Sequence, residues 1–126
     1  DGDIFEITGS GYNPEGDILV EGLKQDIYHP GLALLGKIAA STALAETSYN
    51  TETQEHQLIM GDPTEAALKV FGQKNGFERA ALFQKQKLLL EIPFTHEHKF
   101  HSVSIQDEAQ VHTLQEKLKC FLHKLA

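Results

Sequence analysis

Asp62-Pro63-Thr64-Glu65, in the middle of the 126-residue chain, leaves the backbone one good choice. Asp at an N-cap accepts from the first free amides of a helix. Pro at the next position has no amide to leave unpaired, and Glu at N3 can reach back to the cap. A helix therefore starts here. Ala66, Leu68, Val70 and Phe71 continue it with an apolar stripe, and Gly76 stops it.

Other elements are placed around that helix. Ile4-Phe5-Glu6-Ile7-Thr8 is β-branched and aromatic and predicts a strand. Gly9 to Gly16 is dense in turn formers, and Asp17 to Val20 resumes a strand, so the chain opens on a hairpin with a long connection. Leu32, Leu35, Ile38, Ala39, Thr42 and Ala43 recur at helical spacing and predict a helix from Pro30 to Ala45. Glu46 to Glu55 is polar and expected as a surface loop, with a short strand from His56 to Met60. After the central helix come a shorter one over Glu78 to Lys87 and two strands, Leu88 to Ile92 and Lys99 to Ile105. Asp107 is expected to cap a last amphipathic helix with the stripe Val111, Leu114, Leu118, Phe121 and Leu125, leaving Cys120 off it. Helices and strands do not alternate regularly. The predicted class is α+β, an antiparallel sheet flanked by helices, in one domain spanning 1–126.

The net charge of −7 argues against a binder of nucleic acid or of an acidic membrane surface, whose footprint would be basic. It does not exclude a small anionic ligand. Residues 1–55 carry ten acidic and two basic side chains, residues 56–126 eight and nine, so the acidity is concentrated in the first part. One cysteine, Cys120, cannot form an internal disulfide, which points to a reducing compartment. The start has no basic and apolar leader, and the run Ile38 to Ala45 is far short of a membrane span. A soluble domain without direct membrane contact is expected, and a start at Asp1 rather than Met suggests a piece of something larger.

Gly31-Leu32-Ala33-Leu34-Leu35-Gly36-Lys37-Ile38 matches most of a phosphate-loop pattern. Its apolar middle and the lack of a hydroxyl at Ile38 favour a helix whose Gly packs against a neighbour. His96, His98 and His101 crowd together, but a strand would turn His101 away from the other two, so no metal site is assigned. Two segments remain: Gly61-Asp62-Pro63-Thr64-Glu65-Ala66-Ala67-Leu68, and Glu91-Ile92-Pro93-Phe94 running through Lys99 and His101 to Ile105.

In this order, and preceded by Thr8-Gly9-Ser10-Gly11-Tyr12-Asn13-Pro14-Glu15-Gly16, they resemble the nucleotide-binding domain of P-type cation-transporting ATPases. The resemblance is closest to the branch containing calcium pumps and the sodium/potassium pump and covers about Ile4 to Ile105, leaving 106–126 as a divergent amphipathic helix. It implies an antiparallel sheet flanked by helices and a site for ATP, as Mg-ATP in a whole pump. Phe94 matches the aromatic that stacks on adenine, and Lys99 the lysine at the pocket mouth. Glu65 matches the acid near the adenine amino group, and His101 stands where the family often lines the pocket with Gln or Met. Asp62 matches a position that is usually acidic, although its cap accounts for it alone.

The resemblance also implies a cytoplasmic domain of an integral membrane protein, with phosphorylation and actuator domains as partners. The family's Asp-Lys-Thr-Gly-Thr and Thr-Gly-Glu motifs, which belong to those domains, are absent, so the chain is not expected to turn over ATP in isolation. Its Lys-Gly-Ala loop and later Arg are absent as well, through truncation or divergence. The alternative is a non-enzymatic interaction module that keeps the fold, has lost nucleotide binding, and docks its last helix on a partner or on a second copy.

Overall fold

The computed structural model describes residues 3–24, 29–107 and 110–117. Strand β1 (Phe5–Ile7) pairs with β2 (Ile18–Val20), and β2 with β3 (Leu23–Lys24). The loop between β1 and β2 is closed at its base, where Thr8 N–H donates to the Asp17 carbonyl and Asp17 N–H to Thr8 Oγ1 at 2.8 Å. Helix α1 (Pro30–Thr42) follows, then a hairpin of β4 (Glu46–Asn50) and β5 (Glu55–Met60). Helices α2 (Pro63–Lys74) and α3 (Arg79–Lys85) lead into β6 (Lys87–Ile92), β7 (Phe100–Asp107) and β8 (Gln110–Lys117). The class is α+β and every pairing is antiparallel, but among the described residues the strands form three small sheets rather than one. Among them, too, no helix is long and apolar enough to cross a membrane.

The central helix follows its local code. Asp62 Oδ1 accepts from Thr64 N–H at 2.7 Å, with Pro63 at N1. At the other end Phe77 N–H returns to the Gly72 carbonyl and Gly76 N–H to the Gln73 carbonyl, a Schellman closure with Gly76 at φ +85°. Gly61, just before the cap, is held at φ +102°, and a Cβ there would lie 2.8 Å from Ala45 Cα. A side chain at that position would be strained and crowded, which explains why glycine opens the motif.

α1 lies between two apolar clusters. Ala39 and Ala43 pack with Ile18, Leu68 and Phe71, while Ile38 packs on Val103 and Ile105 with Phe83 and Leu88. Gly36, from the phosphate-loop-like string, is buried in α1, and Asn75 Nδ2 crosses beside it to the Leu32 carbonyl at 2.6 Å. A Cβ on Gly36 would meet that nitrogen at 2.1 Å. Gly36→Ala should therefore cost about 1–3 kcal/mol by overpacking and by displacing the Asn75 bond. Urea unfolding measures it; a neutral result would mean that the two helices are not in this contact. His29, ahead of Pro30, serves as the N-cap of α1, with Nδ1 accepting from Leu32 N–H at 3.1 Å.

Two expectations need correcting. Glu46–Glu55 is not a loop but the first strand and turn of the β4–β5 hairpin, with Glu55 opening the second strand. Asn50 Oδ1 accepts from Glu52 and Thr53 N–H, and Gln54 takes φ +56°, so a side-chain-built turn reverses the chain where the polarity suggested no structure. The last segment is not a helix over 110–117. It is β8, paired with β7 from Asp107↔Gln110 to Phe100↔Lys117. β7 carries buried Val103 and Ile105, and β6 covers only one of its edges, which leaves the other as a template for a further strand. Eight paired residues outweigh two members of a helical stripe, Val111 and Leu114. Leu118, Cys120, Phe121 and Leu125 lie outside the described residues.

Candidate functional site

Strict alternation along β6 from half-buried Leu88 would turn Leu90 inward and Glu91 outward. A bulge between Leu88 and Leu90 reverses this. Leu90 is 58% exposed, and Glu91 faces the interior opposite Val103. Bulges re-aim side chains beside functional sites. This one leaves a leucine in water and brings in a carboxylate.

Glu91 arrives among partners. Arg79 Nη2 donates to its two oxygens at 3.0 and 2.9 Å. His101 Nε2, on a residue 1% exposed, stands 2.9 Å from Oε1. Arg79 Nη1 also donates to the Ser41 carbonyl in the last turn of α1, and the guanidinium lies 4.7 Å over the Phe83 ring. Burial pushes the Glu91 carboxyl up, but the hydrogen bonds from Arg79 and His101 outweigh it and hold it below the ordinary value.

Glu65 lies in the first turn of α2, half-buried. Burial raises its carboxyl above the ordinary value. His101 opposes the rise, Asp62 adds to it, and the Leu44 amide and Arg79 also oppose it. The two carboxylates therefore respond to acid with opposite signs. A lowered pKa stabilises the fold above the usual carboxylate range, and that stability is lost as pH falls through it. A raised pKa works against the fold once the group ionises, and acid relieves the cost. Glu65→Gln should thus raise stability at neutral pH and make the loss on acidification steeper. Thermal melts from about pH 3 to 7 test it; an unchanged pH slope would remove Glu65 from this environment.

Phe94 and Lys99 lie on the connection between β6 and β7. Phe94 is half-buried, with His96 edge-on at 5.8 Å. His98 stacks on Phe100 at 5.6 Å. Lys99 is exposed and left-handed, at φ +61°, its N–H donating to the Thr95 carbonyl at 2.9 Å. Such a conformation costs a non-glycine residue about 1–2 kcal/mol. Lys99→Gly should relieve that strain and raise the melting temperature, while removing the cation. A fall in melting temperature would mean the side chain itself holds the loop.

The predicted site residues thus fall into two groups. Asp62, Glu65 and His101 share one electrostatic neighbourhood, whereas Phe94 and Lys99 share a loop. His101 is not on an open wall but buried against Glu91. Asp62 is exposed and engaged as a cap. A cavity of about 650 Å³ reaches Arg79, Phe83, Leu44 and Lys69, and another of about 820 Å³ lies between Tyr12 and the β4–β5 hairpin; Phe94 and Lys99 line neither. Arg79 and Glu91 were not singled out from sequence. One signal was available: Arg79 is the only arginine in the chain.

The P-type ATPase cytoplasmic domain N family model matches residues 34–123, from within α1 through β8. The chain belongs to that family. The N domain is 32% identical over 111 residues to the calcium-transporting ATPase type 2C member 1 of Bos taurus, covering 87% of this chain and 11% of that protein. It is 28% identical over 103 residues to the cation-transporting ATPase pma1 of Synechocystis sp., covering 79% and 11%. It is 26% identical over 108 residues to a calcium-transporting ATPase of Bacillus subtilis, covering 85% and 12%. The N domain therefore spans about a ninth of the length of these relatives.

Proposed function

We propose that this N domain binds ATP and, within a P-type cation pump, positions it for phosphorylation of an Asp in a separate domain. The single observation that carries this is the β6–β7 loop. It presents an aromatic and a cation together, on stems held by a polar network that also acts on Glu65. Phe94 supplies a face for adenine, Glu65 an acceptor for its exocyclic amine, and Lys99 a point charge for the phosphates. Magnesium travels with the nucleotide. The domain contributes orientation, which is most of what protein supplies in phosphoryl transfer. The names of the relatives favour a cation as the transported species, and calcium in two of the three. The phosphorylation and actuator domains of such a pump are the partners.

One stack and a few polar contacts should give a dissociation constant of roughly 0.1–1 mM, about −4 to −5.5 kcal/mol. Titrating ATP against the ¹⁵N amide spectrum of the chain tests this. Shifts confined to Glu65, Phe94, Lys99 and their neighbours are expected. Their absence at several millimolar ATP would overturn nucleotide binding.

A further inference from the structure

We propose that Arg79 is a positioning residue for the nucleotide site, fixing both stems of the β6–β7 loop through Glu91 and His101. This rests on the nucleotide-binding function proposed above. Glu91 lies three residues before Phe94, and His101 two after Lys99. The two meet on one face of the sheet, Glu91 opposite Val103 and diagonal to His101. Arg79 closes the arrangement from outside the sheet. One guanidinium nitrogen takes both carboxylate oxygens, and another takes the Ser41 carbonyl at the end of α1. The loop that carries the stack and the cation is thereby referenced to the helix layer. Arg79 and His101 also act electrostatically on Glu65, so one network reaches all three proposed nucleotide contacts.

The residue type matters. A guanidinium is a rigid planar fork that can satisfy a carboxylate and a carbonyl in fixed directions. Lysine is a mobile point charge that cannot hold both. Among eleven basic residues the chain places its single arginine here. The β6 bulge points the same way, since it exposes Leu90 in order to bring Glu91 within reach.

The test compares Arg79→Lys with the unaltered chain, reading ATP affinity, the ratio of ATP to GTP affinity, and the melting temperature. A site whose loop is released while its charge is kept should lose about tenfold in ATP affinity. Its ATP/GTP ratio should fall toward one, because the released loop no longer holds the base on Phe94 at a fixed place before Glu65. Both losses should appear at a temperature where the melt shows the variant folded. In Arg79→Ala, millimolar methylguanidinium should restore part of the ATP affinity, which a general loss of packing would not allow. If Arg79→Lys does not fold, Glu91→Gln takes its place with the same expectations. A folded variant with unaltered ATP affinity and base preference overturns the positioning role while leaving ATP binding intact. An unaltered chain that binds no ATP overturns both.

Discussion

Replacing Phe94 with alanine should weaken ATP binding about 5- to 150-fold, the 1–3 kcal/mol that one base–aromatic stack contributes. From a starting constant of roughly 0.1–1 mM, that moves the constant to between about 0.5 mM and well above roughly 10 mM, so the loss is read against the unaltered chain at the same ATP concentrations. The melting temperature should change little by comparison, because Phe94 is only half-buried and sits on a loop, away from the two apolar clusters. Phe94→Leu separates the stack from apolar burial: it keeps most of the apolar contact and should lose nearly as much affinity as alanine. Equal ATP affinity in the unaltered chain and Phe94→Ala would remove this ring from the site and with it the main support for adenine recognition.

The second large effect is on the fold. Glu91→Ala should destabilise the domain by about 2–4 kcal/mol, lowering the melting temperature by roughly 5–15 °C. The cost lies less in the lost bonds than in what they leave behind. His101, 1% exposed, loses its acceptor, and Arg79 keeps a charge with no carboxylate opposite it. The Arg79 and Glu91 side chains retain 25% and 21% exposure, so the figure is set below that of a fully buried pair. Glu91→Gln should fall between, because an amide oxygen still accepts from one donor. The neighbouring Leu90→Thr should stay within about 0.5 kcal/mol, since Leu90 faces water. A leucine that tolerates replacement beside a glutamate that does not inverts the usual expectation for a strand. If Leu90→Thr proved the more damaging of the two, the bulge would be in the wrong register.

The central helix was legible because its ends are written locally. Asp62, Pro63 and the Gly76 closure each act within a few residues, and no distant contact is needed to set them. The strands on either side of the Phe94 loop, the second bearing His101, were legible for a similar reason, as β-branched and apolar runs bounded by Pro93 and the turn that follows. The family, too, could be inferred from ordered motifs, and the 34–123 match bears that out. Of the five residues predicted for the site, the structure puts Asp62, Glu65 and His101 in one electrostatic neighbourhood and Phe94 and Lys99 on one loop.

What the sequence determined by itself was therefore where the central helix starts and stops, the α+β class, and the family. The tertiary structure decided which partner each strand took and which side chains it turned inward. Gln110–Lys117 carries residues compatible with a helix, yet it pairs with β7, because that strand offers a free row of backbone groups that a second strand pairs in register along its whole length. Glu91 is inward and Leu90 outward because of one bulge, whose consequence depends on Arg79, twelve residues away in sequence and on another element. Periodicity is a property of one segment. Register, edge pairing and the meeting of Arg79, Glu91 and His101 are properties of several segments at once, and they exist only when those segments pack together.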